Sequence, residues 1–238
     1  MKSSQSNRQH GFTLLETVIA IGVLAVLLTG FMVVFAPAAE GIRKSINVQQ
    51  ADRLASTLEQ ELTTPRNTGT ALTPGFDKAF NWIKDSNNAN TALLVYQYRA
   101  DLTASPRSDG TPQPQPQLKN KLPGKDYVVV PMVRQKSDQN LDDDLEALEG
   151  AVYLVKCTQL VFDNGELKLG SAGTIKDPKG TGGTASSPDA YTEAVIAFAA
   201  DFHLLPARTY SYLTSSAFTT KFGNARNPVF SRNLAVRR

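Results

Sequence analysis

Apolar residues are distributed unevenly along the chain. From Thr17 to Ala39 the sequence reads TVIAIGVLAVLLTGFMVVFAPAA, with no charged side chain. Within this stretch, Val18 to Ala36 is interrupted only by Gly22, Thr29 and Gly30. About 20 apolar residues rising about 1.5 Å each cross a hydrocarbon layer of about 30 Å, so the block predicts a membrane span rather than a buried core helix. Beyond it the pattern becomes amphipathic. Ile42, Ile46, Leu54, Leu58 and Leu62 recur mainly at four-residue spacing or its multiples, with Arg43, Lys44, Asp52, Arg53, Glu59 and Glu61 between them. No Gly or Pro falls between Ile42 and Thr64, and Pro65 supplies a stop. Continuous from Thr13 to Leu62, such a helix is about 75 Å long. Pro37 lacks an amide hydrogen and crowds the preceding turn, so a kink is expected there. The lower half needs a cover for its apolar stripe, and a β-sheet head is the economical one. A coiled-coil stalk lacks the sustained heptads it requires.

Residues 63–238 alternate between strand-like and loop-like stretches. Ala92–Arg99 (ALLVYQYR) and Asp126–Val133 (DYVVVPMV) are rich in β-branched and aromatic residues. Pro131 assigns the second to an edge or an early end. Ala151–Phe162 (AVYLVKCTQLVF) is followed by Asp163-Asn164-Gly165-Glu166 and then LKLG, which predicts a hairpin around Asn-Gly. Tyr191–Leu205 suits strand or helix, and its Phe, Val and Ile content favours strand. The connections suggest antiparallel pairing without βαβ units. The expected fold class is therefore α+β: a long N-terminal hydrophobic then amphipathic helix packed on an antiparallel β-sheet head.

Two loops stand out. Ser105–Gly124 holds Pro106, Pro112, Pro114, Pro116 and Pro123 and predicts an extended, solvated, mobile segment. A polyproline docking ligand is the alternative reading. Gly170–Pro188 is glycine-rich, lacks the GK[ST] ending of a phosphate-binding loop, and reads as a flexible loop. The acids Asp138, Asp142, Asp143, Asp144, Glu146 and Glu149 do not follow an EF-hand spacing. Asp142–Asp144 suit a helix N-terminus, so capping or solvation is preferred over a calcium site, which stays open.

Composition mostly excludes. In 238 residues, a net charge of +3 is small and scattered, with neither basic stripe nor interleaved aromatics, so nucleic acid is not an expected partner. The single cysteine, Cys157, rules out an internal disulfide and a Cys-rich zinc site, and it reads as a buried core thiol. Two histidines leave little for histidine-centred catalysis, and His203, between Phe202 and Leu204, reads as structural. No G-x-S-x-G occurs. No catalytic, cofactor-binding or metal-ligating set emerges, and the chain is read as a non-enzyme.

The start of the chain carries the most specific signal. MKSSQSNRQHG is polar, with Lys2 and Arg8 and no acid. A cleaved secretory signal fits poorly, since its apolar region runs to about 7–15 residues, although Ala36-Pro37-Ala38 offers a cleavage-like site. A permanent single-span anchor is physically allowed. A third reading explains both the acid at the edge of the span and the glycine before Phe12. Residues 11–16, Gly-Phe-Thr-Leu-Leu-Glu, followed by the apolar run, resemble the class III signal of type IV pilins and type II secretion pseudopilins.

That resemblance implies a leader of residues 1–11, cleaved after Gly11 by a prepilin peptidase and followed by N-methylation of Phe12. It further implies a span or filament-core helix over 12–39, an amphipathic extension over 40–62 and a head from 63 to 238. Glu16 would stand fifth in the mature chain and pair with the Phe12 amine of a neighbouring subunit; an interfacial Glu facing headgroups is the plainer alternative. A charge within a span costs about 2.5–3.5 kcal/mol at its centre and less near its edge, so Glu16 would seek such a cation. The implied partners are other pilin or pseudopilin subunits, inner-membrane assembly machinery with its own ATPase, and membrane lipid before assembly. The implied location is single-pass in the inner membrane with the head extracytoplasmic. Lys2 and Arg8 before the span against Arg43 and Lys44 after it leave topology undecided by charge. Lack of a second cysteine favours a minor pilin or pseudopilin over a disulfide-closed major pilin, and NPVFSRNLAVRR resembles the ends of the larger members. Some pseudopilins carry a calcium site in a head loop, which keeps the acids of 138–149 in view. The rival reading is a single-span, membrane-anchored extracytoplasmic binding or adhesion protein.

Overall fold

The computed structural model describes residues 13–67, 72–179 and 183–238. The chain forms two units, one ending at Ile46 and one running from Asn47 to Arg238. Helix α1 (Leu14–Thr63) supplies the described part of the first unit and enters the second.

In the second unit, α1 ends two residues before Pro65, which has no amide hydrogen to extend the ladder. A short ribbon of β1 (Arg66–Asn67) and β2 (Leu72–Thr73) leads to α2 (Gly75–Asp85). There follow β3 (Leu93–Asp101), β4 (Tyr127–Gln135), α3 (Leu141–Glu146), β5 (Leu148–Asp163), β6 (Glu166–Leu169), β7 (Val195–Leu204), α4 (Tyr210–Leu213), α5 (Ser216–Gly223) and β8 (Phe230–Arg237). The main sheet has the order β4-β3-β5-β7-β8, with β6 paired to the far end of β5, and every pairing is antiparallel. The fold is α+β, as the sequence pattern predicts.

Local signals locate the strands well. Asn164 and Gly165 adopt φ of 52° and 83°, the left-handed pair that a two-residue hairpin between β5 and β6 requires. Pro131 lies within β4, an edge strand of the main sheet, opposite Gln97. The ambiguous stretch 191–205 contains strand β7.

The sheet is covered on both faces. On one, Leu54, Leu58 and Leu62 of α1 join Phe80, Trp82 and Ile83 of α2 against Tyr153, Val155, Phe198 and Phe202. On the other, Leu141, Leu145, Leu213, Phe218 and Phe222 from α3, α4 and α5 cover Leu94, Tyr96, Tyr98 and Leu154. Helix α2 is absent from the sequence-based expectation, although Phe76, Ala79, Phe80 and Ile83 have the i, i+3, i+4, i+7 spacing of a buried stripe. Its first residue must be Gly75, because a Cβ there would collide with the carbonyl of Thr63. Lys78 then ties α2 to the end of α1, donating to the backbone carbonyl and, at 2.9 Å, to the carboxylate of Glu61.

Both loops differ from expectation. The proline-rich loop is tied along the end of β3: Asp101 N–H donates to Gln113 O, Gln115 N–H to Arg99 O, and Tyr98 Oη to Pro112 O. Arg107 and Gln115 are buried. A run of prolines excludes regular pairing, yet isolated contacts suffice to dock it. The glycine-rich segment is likewise anchored, since Ile175 and Ala185 enter the core and Gln159 exchanges two hydrogen bonds with the backbone of Lys176.

The acidic segment is corrected in the same way. Asp142–Asp144 do form the first turn of α3, but Asp144 is fully buried rather than solvated. Its carboxylate accepts from Arg134 Nε (2.7 Å), Arg107 Nη1 (2.6 Å) and Tyr96 Oη (2.7 Å). Arg134, also fully buried, reaches Asp109 (2.9 Å), Asp138 (3.0 Å) and Thr111 Oγ1 (3.0 Å). Two guanidinium groups therefore occupy the space between these carboxylates. Among the described residues no group of three or more His, Cys, Asp or Glu is placed to hold a metal ion.

Burial disfavours the charge on Asp109, but hydrogen bonds from Thr111 and Arg134 outweigh it and hold the carboxyl well below its ordinary value. The stabilisation is therefore complete above about pH 4, where the unfolded carboxyl is ionised too, and is lost as the pH falls through the lower folded value. Asp109→Asn should cost about 1–2 kcal/mol at pH 7 after allowance for screening. In urea unfolding of the detergent-solubilised chain, followed by the single tryptophan Trp82, the gap between parent and variant should stay constant from pH 7 to 5 and narrow below pH 4. A gap that widens on acidification contradicts this assignment.

Candidate functional site

Of the residues that the sequence singles out for function, Gly11 and Phe12 lie outside the described residues. Glu16 and Pro37 are on α1. Thr13 precedes the first helical residue, Leu14, so Glu16 falls at the third helical position. Thr13 Oγ1 accepts from the Glu16 N–H at 3.3 Å, and the Glu16 carboxylate accepts from Thr13 N–H and from Thr13 Oγ1, both at 2.9 Å. This is a capping box, which satisfies amide donors that the first turn of a helix otherwise leaves without partners. Thr13 and Glu16 stand at the Thr-x-x-Glu spacing of such a box, a local signal that the leader pattern overlies.

The side chains that follow make an unusual surface for water. Leu14, Leu15, Val18, Ile19, Ile21, Val23 and Leu24 are each more than half exposed, and so are Val26, Leu27, Leu28, Phe31, Met32, Val33, Val34 and Phe35. They go all round the helix, unlike the single buried stripe of a core helix. Thr29 returns its hydroxyl to the carbonyl of Ala25 at 2.9 Å, and Thr17 to that of Thr13 at 3.3 Å, so their polar groups are met within the helix. Phe31 and Phe35 stack one turn apart, with ring centroids 5.1 Å from each other. Among the described residues, α1 is the one helix long and apolar enough to cross a membrane. The helix passes through Pro37 without interruption.

The stripe that emerges from this region becomes buried only further on. Ala51, Leu54, Ala55, Leu58 and Leu62 are fully inside the head, whereas Ile42 and Ile46 are exposed. Within the head, the polar groups noted in the sequence are drawn into contacts of the fold. Burial pushes the Cys157 thiol up to about 12, and it sits in the core with its backbone N–H donating to Ser86 Oγ. Burial also shifts the His203 imidazole on β7 below its ordinary value. Arg232 reaches back to α1, 3.3 Å from Ser56 Oγ and 3.6 Å from Asp52, and Arg238 lies over the Phe76 ring. The basic C-terminus is thus engaged with the head itself.

Comparison with known families finds the prokaryotic N-terminal methylation motif over residues 6–32, the signal of type IV pilins. The chain is consistent with a pilin-like protein. No curated protein and no solved structure matches it. The motif implies processing by a prepilin peptidase and assembly with pilin subunits, and it points to a structural protein rather than an enzyme. Together with the single N-terminal apolar helix, it fits a membrane-anchored protein.

Thr13→Ala should remove both hydroxyl contacts to Glu16 and cost about 1 kcal/mol of first-turn stability. Hydrogen exchange at the amides of residues 14–17 in detergent micelles should quicken about fivefold, with the middle of the helix unchanged. Unaltered exchange at these amides would show that the box does not hold the helix end.

Proposed function

We propose that the chain is a structural subunit of a type IV pilus-like filament or type II secretion pseudopilus, and a minor pilin or pseudopilin rather than a main fibre protein. The observation that carries this reading is the coincidence of the methylation motif at 6–32 with a helix apolar around its whole circumference. Before assembly, lipid covers that surface, with the chain single-pass in the inner membrane and the head extracytoplasmic. In the filament, neighbouring helices replace the lipid. Gly22 and Gly30, where a Cβ would meet nothing within the chain, are places where another helix can approach closely. A bend at Pro37 suits the passage between the two environments.

Cleavage after Gly11 leaves the capping box intact, because Thr13, its amide and Glu16 all belong to the mature chain. The Glu16 carboxylate is therefore partnered while the subunit waits in the membrane. In the filament it exchanges part of that contact for the Phe12 amine of a neighbour, a pairing that favours correct register because an unmatched charge is costly in apolar surroundings. The work is mechanical, without chemistry of its own, and the energy comes from a separate ATPase of the assembly machinery. The domains that follow are the leader (1–11), the span or core helix (12–39), the amphipathic extension (40–62) and the head (63–238).

Mass spectrometry of the chain from its native membrane should find an N-terminal peptide that begins with N-methylated Phe12. An intact Met1, or a start after Ala38, overturns the proposal in favour of a permanently anchored or secreted binding protein. Glu16→Ala should leave membrane insertion unchanged and reduce incorporation into filaments at least tenfold, a loss of about 1.4 kcal/mol or more per subunit. Incorporation at the parent level would remove the pairing role from Glu16.

A further inference from the structure

The loop between β3 and β4 ends in an ordered tip of basic and apolar residues. Residues 110–125 contain Lys119, Lys121 and Lys125 and no acid. Interleaved with them, Leu118 is 46% and Leu122 58% exposed, and Leu102, from the other arm of the loop, is 50% exposed. Local hydrogen bonds shape the tip. Lys121 N–H donates to Leu118 O at 3.1 Å around Asn120, whose φ is 62°. Leu122 N–H donates to the Asp126 carboxylate at 2.7 Å, Gly124 N–H to Tyr127 O at 2.7 Å, and Leu102 N–H to Asp126 O at 3.1 Å. The apolar side chains are therefore displayed on a preformed turn, and a partner that meets them has little backbone to order.

The position of the tip within the head is as informative as its composition. β3 leaves the sheet toward this loop at the end where β5 begins, since Tyr98 pairs with Leu148 and Gln97 with Glu149. The same end receives α1: Tyr153 Oη donates to Asn47 O at 2.9 Å, and the Gln50 side chain lies against Gly150. Asn47 is the first residue of the head unit, and the uncharged apolar block ends at Ala39, eight residues earlier in the same helix. Within the head unit, Asn47 and Gln50 thus lie at the end of the sheet that bears the tip.

We propose that this tip is a docking site for an anionic lipid surface. The three ammonium groups meet lipid phosphates, while Leu102, Leu118 and Leu122 enter the boundary between headgroups and acyl chains. Two observations together select lipid as the occupant: the excess of Lys119, Lys121 and Lys125 over the neighbouring acids Asp101 and Asp126, and a tether that continues into a helix of bilayer length. The tether makes the contact intramolecular, so a contact weak by itself is populated. The inference rests on the reading of α1 as a membrane anchor and is independent of filament assembly.

The test uses the full chain carrying Gln117→Cys, labelled with a nitrobenzoxadiazole probe. Cys157 is buried with its thiol raised, so the label is selective. The labelled chain is reconstituted in nanodiscs of phosphatidylcholine alone or with about one third phosphatidylglycerol. In the anionic discs the probe emission should move to shorter wavelength and quenching by an aqueous quencher should fall about threefold. Both changes should disappear at about 0.5 M salt and when Lys119, Lys121 and Lys125 are replaced together by Gln. Leu118→Ser with Leu122→Ser should abolish the emission shift, and Trp82 emission checks that each variant keeps its folded head. Identical probe behaviour in the two kinds of disc, or a shift that survives high salt, overturns the proposal while leaving the anchor in place. A chain that fails to co-elute with discs overturns the anchored reading and the docking site with it. A response to added single-stranded DNA but none to anionic lipid overturns it in favour of nucleic acid.

Discussion

Burial of Ala51, Leu54, Ala55, Leu58 and Leu62 is the contact on which the head depends. An isolated amphipathic helix gains little in water, and a sheet face without a cover exposes its aromatic and branched side chains. Each leucine fully removed from water contributes about 1.5–3 kcal/mol, so the three on this stripe outweigh any single polar contact nearby. The same helix carries a methylation motif and an all-round apolar surface at its other end. Its hydrophobicity thus serves two surroundings: a side-chain core over one stretch, and over the other a surface apolar on every side.

On the opposite face, a polar device closes what apolar packing leaves open. Arg134 on an edge strand, Asp144 on α3, and Asp109 with Thr111 in the proline-rich loop meet in one buried network, joined by Arg107 and Tyr96. Such groups are tolerated inside only when their donors and acceptors are met, and no buried side-chain polar atom among the described residues lacks a partner. Its effect is to fix segments without regular structure. Asp109 is 25 residues from Arg134 in the chain, and their contact makes a defined part of the head from a run of prolines.

Features fixed by neighbours in sequence were legible from the start. The apolar block, the Leu54–Leu58–Leu62 stripe, the Asn164-Gly165 hairpin and the edge position of Pro131 each rest on a few consecutive residues. Asp144 was misread because three consecutive aspartates look alike as a string. Helical geometry points Asp144 inward while Asp142 and Asp143 remain exposed. Which acid is buried depends on Arg134 and Arg107, neither of which is adjacent. Coverage of the second sheet face by α3, α4 and α5 was hidden for the same reason, since short helices carry too little periodicity to stand out. For the candidate site, the sequence supplied Gly11, Phe12 and Glu16 through the leader pattern, whereas the way the Glu16 carboxylate is held comes from geometry.

The sealed position of Cys157 has a consequence for where this polypeptide can fold. Along β5, between the start of β3 and the end of β6, the N–H and carbonyl of Cys157 are met by Ser86 and Asn87 on the side away from β7, and the thiol is buried. With one cysteine in the sequence and that one buried, no disulfide forms within the chain as the surroundings change from reducing to oxidising. The head is redox-indifferent: it needs neither an oxidant to mature nor an isomerase to correct it, and crowded copies have no thiol through which to cross-link.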